Sequence, residues 1–115
     1  INVVARGHWT DDRPILSAAL APQTTHLAFR PEAAVLTTPA DGLPGGTVTN
    51  LENLGSDIFV HVSLRDGPET VVIRTAPEEP RFSLGRAVGL KVDAARLMQF
   101  DDEGRRCGNI ERVAA

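Results

Sequence analysis

Seven short runs of apolar or alternating residues, each closed by a turn signal, constrain this chain more than any other feature of it. They are INVVA at 1–5, THLAF at 25–29, AVLTT at 34–38, TVTNL at 47–51, DIFVHVSL at 57–64, TVVIRT at 70–75 and AVGLKV at 87–92. Between them lie TDDRP, PADGLPGG, RDGP, APEEP and DDEG. Their Gly, Pro and Asp supply the backbone angles and side-chain caps that turns require. Alternation with a period of two puts one face of a strand into a core and the other toward solvent. No segment keeps a helical period for three turns, so the spacing predicts an all-β meander or barrel.

Two pieces depart from the strand pattern. RPEAA at 30–34 and DAARL at 93–97 hold good helix formers for about one turn, and each is read as an isolated turn after a strand. They sit in related surroundings. LAFRPEAAVL, from Leu27, and LKVDAARLMQF, from Leu90, both run apolar–x–apolar, then a charged residue, a helical turn and a second apolar stretch. Either two corners converge on similar chemistry, or the chain repeats itself as two interlocked half-barrels. Both alternatives favour a small, strongly bent barrel of the oligonucleotide/oligosaccharide-binding (OB) type, whose short strands turn corners and close on themselves.

At 115 residues the chain suffices for one domain with a real core and is too short for a second of ordinary size. With one Trp, four Phe and no Tyr, that core must be aliphatic. A net charge of −3 and a pI near 5.5 oppose a phosphate-tracking surface, and stacking aromatics are scarce, so nucleic acid is a poor partner. The lone Cys107 excludes an internal disulfide and fits a reducing cytoplasm; it is expected at the surface near a frayed end. The longest apolar run, SAALA at 17–21, is far below the roughly 18 residues that span a bilayer, and no signal-peptide pattern opens the chain. Ile1 begins what reads as a strand already under way, so the sequence is expected to be a piece of a longer polypeptide.

Catalytic and metal-binding patterns do not appear. His8, His26 and His61 fall in separate segments without ligand spacing, and His61 is read as a cross-strand hydrogen-bonding residue. Cys107 has arginine neighbours but no histidine near it in sequence to act as a base. The run FDDEGRR at 100–106 lacks alternating calcium ligands and is read as a solvated turn, Asp101 to Glu103 facing Arg105 and Arg106. Arg65, Arg74, Arg81 and Arg86 are interleaved with Asp66, Glu69, Glu78 and Glu79, which cancels a basic field. No nucleophile elbow, phosphate loop or dinucleotide fingerprint occurs. Catalytic, cofactor-binding and metal residues are all expected to be none.

Three pieces in order, HLAFRPEAAVL, VTNLENLGSDIFVHVSL and VGLKVDAARLMQFDDEGRR, resemble the C-terminal domain of the ATP-hydrolysing subunits of bacterial sugar importers. These are ABC transporters of the maltose and glycerol-phosphate type. INVVARG looks like the entry strand that follows the nucleotide-binding domain, FRPE resembles the I-R-P-E corner, ENLGSD the E-x-L-G-x-E segment, and ARLMQFDDEGRR the closing strand with its acidic turn. Phe29 replaces a small aliphatic residue, Asp57 a glutamate and Ala94 a common proline; these mild changes leave the subfamily and substrate open.

The resemblance implies a small OB-like barrel of the TOBE type, residues 1–115 as one domain, and a role in regulation and dimer contact rather than hydrolysis. ATP and Mg would be bound by a preceding domain. The partners implied are a second copy of the subunit, the transporter permease through that domain, and a regulatory protein, at the cytoplasmic face of the membrane. Gly55 is expected at a tight corner or bulge with positive φ, flanked by Glu52 and Asp57, either as turn caps or, with Leu54, as an interface or regulatory surface. Arg30, Pro31 and Glu32 would form a structural corner, Pro31 fixing the turn and Arg30 pairing with a carboxylate other than Glu32 alone. An oxyanion-binding (molybdate-type) module is the alternative, though Lys91 is the only lysine and no Ser/Thr-rich loop stands beside it. A nucleic-acid-binding barrel ranks last.

Overall fold

Alternation in the sequence becomes alternation in burial. The computed structural model describes residues 1–6, 20–40, 43–65, 69–76 and 82–109. Among them the strands are β1 (Asn2–Ala5), β2 (His26–Phe29), β3 (Ala34–Thr37), β4 (Gly45–Asn53), β5 (Ile58–Leu64), β6 (Thr70–Thr75), β7 (Ala87–Val92), β8 (Met98–Phe100) and β9 (Arg106–Asn109). On β5 the buried residues are Val60, Val62 and Leu64, and on β6 they are Val71 and Ile73, every second position in each case. The helical pieces are two 3-10 turns, Pro31–Ala33 and Ala94–Arg96, where RPEAA and DAARL were read as isolated turns. His8 and most of TDDRP, RDGP and APEEP lie outside the described residues.

The strands form two antiparallel sheets, in the orders β1-β2-β8-β9 and β3-β7-β4-β5-β6. The all-β, OB-like architecture expected from the spacing is the one observed. Both 3-10 turns are corners at which the chain passes from one sheet to the other, β2 into β3 and β7 into β8. The two corners are paired in the same way. With Leu27 matched to Leu90, the ladder Ala28↔Met98, Leu27↔Gln99, His26↔Phe100 maps onto Lys91↔Val35, Leu90↔Leu36, Gly89↔Thr37. The closing bond of the first turn, Ala33 N to Arg30 O at 2.9 Å, has its counterpart in Arg96 N to Asp93 O at 2.9 Å. The two corners are therefore alike in register and in the bond that closes each turn.

Between the sheets lies an aliphatic core of Val4, Leu27, Phe29, Val48, Val62, Ile73, Leu90 and Leu97 with their neighbours. Each such side chain contributes about 1.5–3 kcal/mol when fully removed from water, so this layer dominates stability. Gly46 is required where β4 pairs with β5, since a Cβ there would run into the Ser63 carbonyl oxygen.

β1 and β6 each lie at one edge of their sheet, and side chains sew them together. Asn2 donates through Nδ2 to the Val72 carbonyl at 2.8 Å and accepts from Val72 N through Oδ1 at 2.7 Å. Its carboxamide thus takes the place of a peptide group in a ladder. Further along, Glu69 Oε2 accepts from Ala5 N at 3.0 Å. Two edges that would otherwise expose unpaired backbone groups are closed in this way.

The sequence reading is corrected at two places. Cys107 is not a surface residue: it lies buried in β9, 3.4 Å from Thr24 Oγ1, beside the fully buried Gln99, whose Oε1 accepts from Ala21 N and Thr24 Oγ1. The basic sequence around it concealed a strand that covers the end of the first sheet. β4 also runs on past Leu51 to Asn53, because its register with β5 skips Thr49 and the bulge bends the strand along its partner.

Candidate functional site

The segment singled out from the sequence folds into the β4–β5 hairpin. Asn53 faces Ile58 as the last ladder pair, and Leu54 to Asp57 form the loop. Leu54 N donates to the Asp57 carbonyl at 2.9 Å, and Gly55 N donates to Asn53 Oδ1 at 2.9 Å. Gly55 has φ +89, the left-handed conformation expected for it, and a Cβ there would meet nothing within 4 Å. The backbone angle alone asks for glycine at this point.

The flanking carboxylates cap no turn. Glu52 belongs to β4, and its Oε1 stands 2.5 Å from His61 Nε2 on β5, which gives His61 the cross-strand role read for it. Asp57 binds Arg74 of β6 in a two-point fork, Nε to Oδ1 at 2.9 Å and Nη2 to Oδ2 at 3.1 Å. The Arg74 hydrogen bonds hold the Asp57 carboxyl below the usual carboxylate range, against a smaller opposing effect of desolvation. Each acidic residue therefore secures a neighbouring strand, and their positions leave two leucines uncovered. Leu54 is 63% exposed at the tip and Leu51 38% exposed on the strand leading to it. An apolar tip flanked by two side-chain pairs to neighbouring strands is suited to meeting another surface.

The corner at Arg30 to Glu32 is built partly as expected. Arg30 is extended at φ −78 and ψ 154, and Pro31 occupies the first turn position, where its fixed φ helps and its missing N–H costs nothing. The turn packs against β6. Arg30 itself corrects the reading: among the described residues no carboxylate pairs with it. Its side chain instead lines a cleft with Arg96 and Arg106.

The remaining charged groups are mostly accounted for locally. Asp101 Oδ1 accepts from Glu103 N and Arg105 N, and Glu103 pairs with Arg105, which makes the solvated turn read from the sequence; Arg106 does not take part. Arg86 lies over the Phe82 ring at 5.5 Å. Asp66, Glu78, Glu79 and Arg81, read from the sequence as interleaved with the other charges, lie outside the described residues. Among the described residues there is no group of three or more His, Cys, Asp or Glu able to hold a metal, and no helix is long and apolar enough to cross a membrane.

A family model described as a TOBE domain matches residues 27–100, from the second strand through both corners to the end of β8. The chain belongs to the TOBE domain family. A TOBE domain is a non-catalytic accessory domain, and the fold agrees in detail, since the matched span starts and ends on strands that pair with each other, His26↔Phe100 to Ala28↔Met98. A comparison with curated proteins finds no match. Arg74 on β6, read from the sequence only as one of several arginines interleaved with acidic residues, is the partner of the hairpin's Asp57. Its partner lies on another strand, and only the β5–β6 register, Phe59↔Arg74, brings the two together.

Proposed function

We propose that this TOBE domain is the regulatory and dimerisation part of the ATP-binding subunit of a bacterial ABC importer for sugars or glycerol phosphate. Residues 1–115 would act as one accessory unit, and a preceding domain would bind ATP and Mg and engage the permease at the cytoplasmic face of the membrane. What supports this reading is the order and spacing of FRPE, ENLGSD and ARLMQFDDEGRR, together with the TOBE match that spans all three up to Phe100. The observation that carries the contact itself is the β4–β5 tip, where Leu54 and Leu51 are exposed above the Glu52–His61 and Asp57–Arg74 pairs.

A transporter's catalytic domains approach and separate in each ATP cycle. A second contact through accessory domains keeps them at high effective concentration without strong affinity at either surface. A two-fold contact uses one patch twice, so a short hairpin tip suffices to contribute to it. Self-association of the chain with and without Leu54→Glu tests the proposal. Concentration-dependent dimers that the substitution removes support it. A monomer in both cases, or a dimer in both, contradicts it.

A further inference from the structure

The outer half of β4 is a sheet edge that its first neighbour abandons. β7 pairs with β4 from Gly45 to Thr47, and the chain just before β7 follows β4 one step further. Val48 N donates to Arg86 O at 3.0 Å, and Gly85 N donates to Val48 O at 2.8 Å. There the chain leaves through a turn that Arg86 N closes on Ser83 O at 3.1 Å. From Thr49 to Asn53, β4 has β5 on one side, every residue is exposed, and among the described residues no strand lies on the other side.

The hairpin fixes which backbone groups face that edge. Leu54 N bonds the Asp57 carbonyl, so alternation turns the groups of Glu52 toward β5 and those of Leu51 and Asn53 outward. Leu51 N donates there to the side chain of its own neighbour, Asn50 Oδ1, at 2.9 Å. Such an edge is a template for another strand. Three leucines mark it: Leu51 on the strand, 38% exposed, Leu54 at the tip, 63%, and Leu84 in the departing turn, 64%.

We propose that two copies of the chain pair these β4 edges antiparallel across a two-fold axis, with Leu51 opposite Leu51 of the second copy. This pairing rests on the dimer reading proposed above, to which it adds a register and Leu84. The outward groups permit one two-fold register centred on Glu52 and one centred on Leu51. The first sets two Glu52 carboxylates directly opposite each other, and like charges so placed are destabilising. The second opposes two leucines and sets each Asn50 carboxamide, a hydrogen-bond donor, against Glu52 of the other copy. It also counts Leu54 of one copy onto Val48 of the other, beside the turn that carries Leu84. All three leucines are thereby engaged, and the two hairpins continue as one sheet. A surface that complements itself in this way selects a second copy as its occupant.

The test applies three measurements to the full chain. In sedimentation equilibrium, Leu84→Glu should weaken the wild-type dimer about tenfold or more, although Leu84 lies outside the hairpin. Copper phenanthroline oxidation of single-cysteine variants in a Cys107→Ser background reads the register. Leu51→Cys should form an intermolecular disulfide, since opposed residues of this kind stand about 5.5 Å apart. Glu52→Cys should not, being offset from its own counterpart along the strand by more than a disulfide spans. In wild type, which needs no substitution, the Leu51 amide should exchange with solvent about tenfold or more slowly in the dimer than in the monomer, while the Glu52 amide stays unchanged. A chain monomeric at every concentration overturns both the pairing and the dimer reading. A dimer that Leu54→Glu removes but Leu84→Glu spares, with Leu51 exchange unchanged, leaves the dimer reading standing and overturns the strand pairing. Crosslinking through Glu52→Cys rather than Leu51→Cys overturns the register.

Discussion

Removing the Asn2 carboxamide should loosen the closure between the two sheets by an amount that its two hydrogen bonds set. The side chain is 6% exposed and joins Val72 N at 2.7 Å and Val72 O at 2.8 Å. A hydrogen bond contributes about 0.5–1.5 kcal/mol net, and a buried group left without a partner costs about 1–3 kcal/mol. Val72 is half-buried on an edge strand, where water reaches part of what Asn2→Ala vacates. The expected loss is therefore about 1–3 kcal/mol. With a urea slope of about 2 kcal/mol per molar, the midpoint falls by about 0.5–1.5 M at constant slope.

Asn2→Asp sharpens the test, because it keeps the acceptor for Val72 N and replaces the donor to Val72 O with a negative oxygen. Burial beside that carbonyl raises the new carboxyl's folded pKa above its unfolded value of about 3.9. The penalty is then fully present above the folded pKa and is relieved as pH falls toward the unfolded value. Asn2→Asp should accordingly gain stability relative to wild type between about pH 7 and pH 4. A midpoint within about 0.2 M of wild type for Asn2→Ala, or a pH-independent Asn2→Asp, would refute the closure role.

Gly55→Val should cost about 1–3 kcal/mol, since a β-branched residue is strained at φ +89 although space is open around it; Gly55→Asn should cost markedly less. An equal loss for valine and asparagine in urea melts would mean that something other than the backbone angle is at stake. The Asp57–Arg74 pair should show in acid. The folded carboxyl lies below its unfolded value, so its contribution is complete above about pH 4 and is lost as pH falls through the lower folded pKa. The stability difference between wild type and Asp57→Asn should therefore shrink below about pH 4 and weaken with salt, since both partners reach solvent; a difference flat in both variables contradicts the pairing.

Strand positions were legible because alternation is a local signal: Ile58 to Leu64 and Thr70 to Thr75 reveal their buried faces without knowledge of any partner. Both corners were legible too, Pro31 and the helix formers marking them, and so was the glycine at the hairpin tip. The likeness of the two corners needed the register. The sequence showed only similar order, whereas the ladder His26–Phe100 against Gly89–Thr37 showed the same pairing. What escaped was non-local. Asn2 meets Val72, Asp57 meets Arg74 and Arg30 approaches Arg106 across distances in sequence that no spacing rule spans. β9 escaped for another reason: it is short, begins with Arg106 and contains Gly108 at φ +59, none of which reads as a strand.

Sedimentation equilibrium over a wide concentration range tests the central claim, that the β4–β5 tip joins two copies, most directly. Wild type should associate weakly, with a dissociation constant in the micromolar range or above, corresponding to about 8 kcal/mol or less. Leu54→Glu should be monomeric over the same range, because Leu54 is 63% exposed and its replacement leaves the Glu52–His61 and Asp57–Arg74 pairs intact. The double variant Glu52→Lys, Asp57→Lys, which breaks those pairs, should also lose the dimer while its urea midpoint falls. Wild type monomeric at every concentration would remove the contact from the chain, and a dimer as strong in Leu54→Glu as in wild type would place it on another surface.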